Sequence, residues 1–412
     1  MKKIIIFNVI LLAICLFFNG CVLVPKNSEK TKSTTQTERN IEKSENLTDK
    51  NDCVRCIWLT YYELSNITKS CSNENQFSKS IQKVFKEIKE YGFNTVCVQV
   101  RPCADAFYNS KVFPVSKYCF ENQELIYDPL EIICKQAQIL NLNIEAWINP
   151  YRVSQNAKKQ PRNDFDGLTF TLDNKIYFNP ADEKVTDLIV SGVKEIVENY
   201  NVSSIHFDDY FYPPDMSEKA DAKYYKKYKE EQGGDLSLAQ WRRNNVNEMI
   251  KKVNEAIKNA DENVEFGISP CGNIDYCKNT IYADVELWAK SNFIDYICPQ
   301  IYYGFENEIC PFKETVNEWC EMTENKEIYI GLPMYKCGNK DEYASKSNSN
   351  ALFEFKKNTD ILTNQAKYVG NNSKVKGIYV FSYSSVFKPE NSVMKKESEN
   401  LKNYFSETKI AP

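Results

Sequence analysis

Two adjacent carboxylates are the residues best suited to chemistry in this chain. Asp208 and Asp209 directly follow the run 204–207, in which Ile205 and Phe207 occupy alternate positions. This alternation predicts a β-strand that presents both acids at its C-terminal end. An Asp-Asp pair also occurs at turns and helix caps, so the rest of the chain has to decide between the two interpretations. Two neighbouring carboxyls can share one proton and act as acid and charge stabiliser in a hydrolysis.

The sequence offers fewer suitable residues for nucleophilic or metal-dependent catalysis. His206 is the single histidine, and no nucleophile-elbow serine accompanies it, which argues against a Ser-His-Asp hydrolase. A His-rich metal site is also excluded, although His206, Asp208 and Asp209 together offer donors for one ion. The 15 cysteines are scattered, and many lie in apolar runs, so we expect most to be small buried hydrophobes. We therefore expect no cofactor and no resident metal. We interpret the Cys53/Cys56 pair as flanking a strand and not as a metal or redox site.

Eight strand-like runs alternate with amphipathic helical stretches. This order predicts a single (β/α)8 TIM barrel over residues 53–407. The runs are 54–62, 94–101, 143–149, 203–209, 264–269, 294–302, 327–334 and 376–383.

Helix boundaries are marked by local signals. A helix with apolar residues from Phe77 to Ile88 is expected to stop at Gly92. Asp128-Pro129 and Asn179-Pro180 each predict a helix start with an N-cap and a proline at the first position. Ser237 opens another helix, and a last one is expected at about 390–405.

Alternation along the strands separates two faces. One face is apolar and suits the layer under the helices: Ile57, Leu59, Val98, Val100, Ala146, Ile148, Ile205, Phe207, Phe266, Ile268, Ile297, Ile301, Ile330, Leu332, Ile378 and Val380. The other face is polar or aromatic near each strand's C-terminal end, which predicts a ring around a polar pocket. Its members are Thr60, Tyr62, Gln99, Arg101, Glu145, Trp147, Asn149, His206, Asp208, Ser269, Gln300, Tyr302, Tyr335 and Tyr383.

Paired acids with Tyr, Trp, Arg and Asn at a barrel mouth describe a glycosidase site, since aromatic faces stack on sugars. Several of these residues, taken one at a time, also fit a purely structural role. Trp147 fits a core position, Arg101 fits a structural pair with Asp105 or Glu145, and His206 fits an interior imidazole.

The N-terminus predicts export. Lys2 and Lys3 precede an apolar run from Ile4 to Phe18, the length of a signal-peptide core. Residues 1–20 resemble a bacterial lipoprotein signal, which predicts that Cys21 is lipidated as the mature N-terminus. The alternatives are an ordinary secretory signal and an uncleaved anchor. Residues 21–52 contain few large apolar residues and predict a flexible tether. The protein is then exported and held on the outer face of the cell membrane, or in an outer membrane where the host has one. A net charge of -4 with mixed signs gives no reason to expect nucleic acid.

Eight sequence blocks in order resemble the glycosyl hydrolase-like 10 family. They are WLTYYE (58–63), QVRPCADAFY (99–108), EAWINPYR (145–152), YFNP (177–180), IHFDDYFYP (205–213), FGISPCGN (266–273), PQIYYGFE (299–306) and YIGLPMYK (329–336). The resemblance implies a bacterial envelope (β/α)8 glycosidase-like protein, often a lipoprotein, with members that cleave peptidoglycan strands stripped of stem peptides. Cys56 and Cys271 depart from the small or aromatic residues expected there, and we do not expect the appended β-sandwich found in some members.

The FDD pattern is also similar to the acid pair of O-GlcNAcase-type enzymes, in which the substrate's N-acetyl group is the nucleophile. This similarity assigns Asp208 to orienting the amide and Asp209 to protonating the leaving oxygen. In the rival mechanism Asp208 is a covalent nucleophile, with Glu145 or Glu306 as the acid. Two further hypotheses are a non-catalytic glycan-binding lipoprotein and a metal-assisted hydrolase at His206, Asp208 and Asp209.

We expect a monomer whose partners are peptidoglycan glycan strands and, through its lipid, the membrane. The catalytic candidates are Asp208 and Asp209. The substrate-binding candidates are Tyr62, Gln99, Arg101, Asp105, Glu145, Trp147, Asn149, Tyr151, Arg152, His206, Tyr210, Tyr212, Ser269, Asn273, Gln300, Tyr302, Tyr303, Tyr335 and Tyr383.

Overall fold

The computed structural model describes residues 53–158, 165–323 and 326–408. The predicted signal, the lipidated Cys21 and the tether lie outside these residues. Within them, no helix combines the length and the apolar character needed to span a membrane.

Eight parallel strands close into a barrel, which confirms the predicted (β/α)8 fold. Neighbouring barrel strands follow the order β1-β2-β3-β7-β8-β9-β10-β11, and β11 pairs with β1. Three further short strands, β4 to β6, form a separate antiparallel sheet in the order β4-β6-β5, which the strand pattern did not predict. In chain order the strands are β1 (Val54–Leu59), β2 (Thr95–Arg101), β3 (Asn143–Ile148), β4 (Arg152–Ser154), β5 (Thr169–Leu172), β6 (Lys175–Phe178), β7 (Ser204–Phe207), β8 (Glu265–Ile268), β9 (Tyr296–Ile297), β10 (Glu327–Pro333) and β11 (Val375–Phe381).

Helices follow the barrel strands and cover the outside of the barrel. They are α1 (Tyr61–Lys69), α2 (Glu74–Tyr91), α3 (Pro129–Ile139), α4 (Glu183–Asn199), α5 (Ala222–Glu230), α6 (Leu238–Ala260), α7 (Ile274–Asn279), α8 (Val285–Lys290), α9 (Phe312–Met322), α10 (Ser349–Lys357), α11 (Ile361–Gly370), α12 (Tyr383–Phe387) and α13 (Ser392–Glu407). A short 3-10 helix, Met334–Lys336, follows β10.

The predicted helix signals act as expected in most places. Asp128 caps α3 with its carboxylate, with a proline at the first turn, and Ser237 forms a capping box at the start of α6. The helix α2 ends at Gly92, whose φ of 112° lies in the left-handed region that glycine adopts without strain.

Three boundary predictions are wrong. Of the strand predicted over 294–302, Tyr296–Ile297 alone forms β9. The start predicted at Asn179-Pro180 is displaced, because Asp182 caps α4 instead and the Asn179 side chain bonds the backbone of Ala181 and Ala220. The strand predicted to reach Tyr62 ends at Leu59, since the capping box of Thr60 and Glu63 starts α1 there.

The two predicted faces are confirmed as two buried layers. The apolar face packs under the helices, where residues such as Ile57, Val98 and Phe207 are fully buried. The opposite face fills the barrel interior with a smaller cluster of aromatic and thiol side chains: Cys56, Trp58, Cys97, Trp147, Tyr296, Cys298, Tyr329 and Tyr379. Interior groups of this kind form the floor on which a site at the barrel mouth is built.

The cysteines behave as predicted. Eleven of the thirteen in the described ranges are buried and unbridged, while Cys53 is exposed and Cys271 is partly exposed. Cys53 precedes β1 and Cys56 lies within it, as a strand flank and a strand residue respectively.

Candidate active site

The acid pair lies where the sequence predicted it. Strand β7 directs Ile205 and Phe207 outward into the core and ends immediately before Asp208. Asp208 is almost fully buried, whereas Asp209 is partly exposed. Both line a cleft of about 360 Å³ at the C-terminal ends of the strands, the face that carries the active site in TIM-barrel enzymes.

Another cavity, of about 710 Å³, opens at the opposite end of the barrel. It is lined by residues from the amino-terminal ends of the strands, among them Val54, Thr95, Asn143 and Glu327. The chemistry is better placed in the smaller cleft, because that is where the acid pair and the strand C-termini meet.

Hydrogen-bond donors surround Asp208. Its Oδ2 accepts from Trp147 Nε1 at 2.9 Å and from Asn149 Nδ2, and its Oδ1 accepts from the backbone N–H of Tyr210 at 3.3 Å. Asn149 is itself held by Gln99, whose Nε2 donates to Asn149 Oδ1 at 2.5 Å. Three donors on one carboxylate favour its ionised form.

Burial changes the acidity of both carboxyls. It raises the pKa of Asp208 to about 7, with a further increase from the negative charge of Asp209, while Arg152 lowers it. Burial also raises the pKa of Asp209, against the lowering effects of Arg152 and a hydrogen bond with Gln300. The pair therefore retains a proton up to about neutral pH. Because the donors around Asp208 stabilise its anion, we place that proton on Asp209, which faces the cleft.

Arg152 supplies the positive charge of the cleft. It is the first residue of β4, whose pairing with β6 at Tyr177 fixes its backbone. Its guanidinium lies over the ring of Tyr210, with Cζ 4.0 Å from the ring centroid. This cation–π contact places the guanidinium in the cleft wall beside the acid pair.

Aromatic rings form much of the remaining wall. Trp58, Tyr302, Tyr335 and Phe381 pack on one another, with Tyr302 and Tyr335 centroids 5.9 Å apart. Three tyrosines at the mouth are at least half exposed: Tyr62 (60%), Tyr210 (50%) and Tyr343 (62%). Exposed rings beside a polar floor are suited to stacking on sugar faces.

The cleft brings together about half of the predicted site residues. Those that line it are Tyr62, Gln99, Trp147, Arg152, Asp208, Asp209, Tyr210, Ser269, Gln300, Tyr302 and Tyr335. Trp147 is also part of the barrel-interior cluster, so it is both a core residue and a wall of the cleft.

The remaining predicted site residues lie outside the cleft lining. Asn149 acts behind it, on Asp208. Asp105 accepts from Ser116 at 2.8 Å, and Arg101 is buried with its guanidinium over Phe113. Five more are buried or bonded elsewhere, namely Tyr151 in the core, Tyr212 beside Asn245, Asn273 as the cap of α7, Tyr303 beside Cys271, and Tyr383 donating to Glu87.

Glu145 and His206 lie below the cleft, inside the barrel. Glu145 accepts from Tyr379 at 2.6 Å and from Tyr296 at 2.9 Å, and His206 Nδ1 lies 3.3 Å from Glu145 Oε2. Within the described ranges, the one set of three His, Cys, Asp or Glu side chains with ligand atoms within 4.8 Å of one another is Cys97, Glu145 and His206. His206, Asp208 and Asp209 are therefore not gathered into one donor set, which removes the geometry that a metal-assisted hydrolase would need.

Several residues that line the cleft are not among the predicted site residues. Trp58 and Phe381 lie on the inward face of β1 and β11, so the alternation already contained their signal. Tyr61, Gln155 and Tyr343 come from loops or a helix start, where no period marks an inward position.

A sequence model described as glycosyl hydrolase-like 10 matches residues 53–347. The chain belongs to the glycosyl hydrolase-like 10 family. The match includes β7, the acid pair and the cleft-lining residues up to Tyr343. The resemblance seen in the eight sequence blocks is thereby confirmed.

Two similar proteins are named as glycosyl hydrolases. The chain is 32% identical over 285 residues to glycosyl hydrolase YngK of Bacillus subtilis, covering 62% of this chain and 56% of YngK. It is 31% identical over 310 residues to glycosyl hydrolase DigH of Escherichia coli, covering 66% of this chain and 69% of DigH. The chain thus spans little more than half the length of YngK.

Solved structures share the fold at low sequence identity. The glycoside hydrolase domain of PgaB (BpsB) from Bordetella bronchiseptica superposes with a TM-score of 0.55 at 10% identity, covering 86% of this chain and 99% of that domain. An α-L-fucosidase from Paenibacillus thiaminolyticus gives 0.53 at 11% identity, covering 86% of this chain and 49% of that enzyme. The chain therefore folds into a barrel that glycoside hydrolases also use.

Proposed function

We propose that this protein is a cell-envelope glycoside hydrolase that cleaves peptidoglycan glycan strands freed of their stem peptides. The observation that carries the proposal is the acid pair, in which a buried Asp208 is surrounded by donors and Asp209 faces an aromatic-lined cleft. Family membership and the glycosidase-type barrel are consistent with it.

The geometry supports substrate assistance as the mechanism. Asp208 Oδ2 already accepts two side-chain hydrogen bonds, while Oδ1 accepts a single long one from Tyr210 N. Oδ1 therefore retains capacity for the N–H of a substrate's N-acetyl group, whose carbonyl oxygen attacks the anomeric carbon. Asp209 gives its proton to the leaving glycosidic oxygen and then takes one from the water that opens the cyclic intermediate.

The covalent mechanism lacks an acid in the cleft. Glu145 is buried beneath it, with its oxygens bonded to Tyr296 and Tyr379. Glu306 is exposed and is not among the residues that line the cleft. Neither carboxyl is placed to protonate a leaving group on a sugar bound against Asp208.

Turnover distinguishes an enzyme from a glycan-binding lipoprotein that keeps the barrel as a platform. Purified sacculi, with and without amidase treatment to remove stem peptides, are incubated with the protein and the soluble products are analysed by mass spectrometry. We expect shortened glycans from the peptide-free material. Tight binding without any new reducing ends would show that the barrel is a binding module.

The acid pair sets the expected pH dependence. The two carboxyls titrate as a coupled pair in which the pKa of Asp208 is raised to about 7, so the pair loses its last proton above neutral pH and kcat/KM should fall there. On the acid side the rate should fall as the second carboxyl is protonated, at a pH above the ordinary range of a carboxyl because burial raises the pKa of Asp209. A pH–rate profile on peptide-free strands tests this, and a rate that stays constant from about pH 5 to about pH 9 would contradict it.

Membrane attachment is expected to depend on Cys21. Changing Cys21 to Ala removes the sulfur that would carry the lipid, so the protein should leave the membrane fraction or keep its signal peptide. Cell fractionation and the mass of the N-terminal peptide measure this. Replacement of Cys53, an exposed cysteine at the start of the barrel, is the matched control. Identical fractionation and processing of Cys21→Ala and the parent protein would rule out lipidation.

A further inference from the structure

The guanidinium of Arg152 lies in the cleft wall and has no hydrogen-bond partner among the described residues. Arg152 is 6% exposed, and its side chain forms no hydrogen bond or ion pair with any described residue, its contact being the Tyr210 ring. Two other buried arginines are satisfied by protein groups. Arg242 is bonded to both oxygens of Asp221, and Arg55 to the backbone of Phe405.

The environment of Arg152 favours an external partner over an internal one. Arg152 is 6% exposed and no protein group accepts from it, so its donors need solvent or a ligand to supply the acceptors. Arg152 lines the cleft, so a ligand can reach its nitrogens. Arg101 also lacks a hydrogen-bond partner, but its nitrogens are fully buried over Phe113 and it lies outside the cleft lining, so a ligand in the cleft does not reach it.

A planar guanidinium selects a specific kind of ligand group. Its fork of N–H donors matches the two oxygens of a carboxylate, and such charge-assisted pairs are about twice as strong as neutral hydrogen bonds. The nearby acid pair holds one proton near neutral pH, so Asp208, Asp209 and Arg152 together carry no net charge. An anionic group on the substrate therefore meets no net repulsion in the cleft.

We propose that Arg152 binds a carboxylate carried by the sugar that occupies the cleft beside the acid pair. This inference rests on the proposed function, and it identifies the carboxylate as the lactyl group of a muramic acid residue. That group is a free anion when the stem peptide is absent, and it becomes a neutral amide when a peptide is attached. Arg152 would thus give the cleft its preference for peptide-free strands. A uronic acid sugar also carries a carboxylate and would offer Arg152 the same kind of contact.

The test compares two forms of one glycan. Peptide-free strands are prepared with free lactyl carboxylates, and a second portion is methyl-esterified at the same position. For the parent protein we expect kcat/KM to be about 10- to 100-fold higher on the free acid. For Arg152→Gln the acid-to-ester ratio should fall to about one, and Arg152→Lys should lie between. Because each ratio is taken within one preparation, partial unfolding of a variant cancels.

Arg243→Gln is the matched control, since Arg243 lies on α6 and donates to the backbone of Lys278. Its acid-to-ester ratio should equal that of the parent protein. An unchanged ratio in Arg152→Gln, or a parent ratio of one, would overturn the inference while leaving the proposed function standing. Failure to cleave either glycan would instead remove the proposed function. Cleavage of uronate oligosaccharides in place of muramyl strands would overturn the muramic assignment.

Discussion

Replacing Asp208 or Asp209 with Asn is expected to lower kcat on peptide-free strands by about 10²- to 10⁴-fold, while glycan binding survives. In the proposed mechanism, the Asp208 change removes the anion that receives the substrate's amide, and the Asp209 change removes the proton donor. Both substitutions preserve side-chain volume, so the cleft should keep its shape. Asp215→Asn is the matched control, because Asp215 is an exposed acid further along the same loop.

The activities of Asp208→Asn and Asp209→Asn should respond differently to the leaving group of the substrate. An aryl glycoside of an N-acetylated sugar has a leaving group that needs little protonation, so it should restore Asp209→Asn far more than Asp208→Asn. A thiazoline mimic of the cyclised amide should inhibit the parent protein. Trapping of a glycosyl adduct on Asp208, or full activity in either Asn variant, would exclude the mechanism.

Arg242→Met is expected to destabilise the fold by about 3 to 5 kcal/mol, because it leaves a buried charge without its partner. Arg242 on α6 holds both oxygens of Asp221 at 2.8 Å, and both side chains are almost fully buried. Asp221 ends the loop that begins at the acid pair and precedes α5. The ion pair of Arg242 and Asp221 therefore ties the loop that carries Asp208 and Asp209 to the helical layer.

Chemical denaturation of the variants measures this effect. Lys226→Met on α5 is the control, since its ion pair with Glu230 is exposed and should contribute about 0 to 1 kcal/mol. Adding Asp221→Asn to Arg242→Met should recover part of the loss, because the orphaned charge is then removed. Equal stability of the Arg242 and Lys226 variants would show that the buried pair does not hold the loop.

The barrel and the position of the acid pair could be predicted because they depend on period-two alternation. Trp147 and Gln99 lie inward because Ala146 and Val98 lie outward, and each strand repeats the same sorting. A residue placed on a barrel strand therefore has its side determined by its neighbours.

Side chains beyond the strand ends could not be sorted in this way. Tyr303 was predicted as a substrate-binding residue, but β9 has just two residues, and the chain after Pro299 no longer alternates as a strand. Tyr343 reaches the cleft from a loop after the 3-10 helix, and Arg152 is oriented by a sheet of three- and four-residue strands. These placements depend on tertiary packing, for which the local sequence has no periodic signal.

The buried thiols give this protein a set of internal reporters of local opening. Cys97 and Cys298 lie inside the barrel, and burial raises the pKa of both thiols, so a thiol reagent can modify them only after the barrel opens. Cys134 on α3 and Cys320 on α9 report on the helical layer in the same experiment. The order in which a small alkylating reagent modifies these four thiols under native conditions would thus reveal which layer of the barrel separates first.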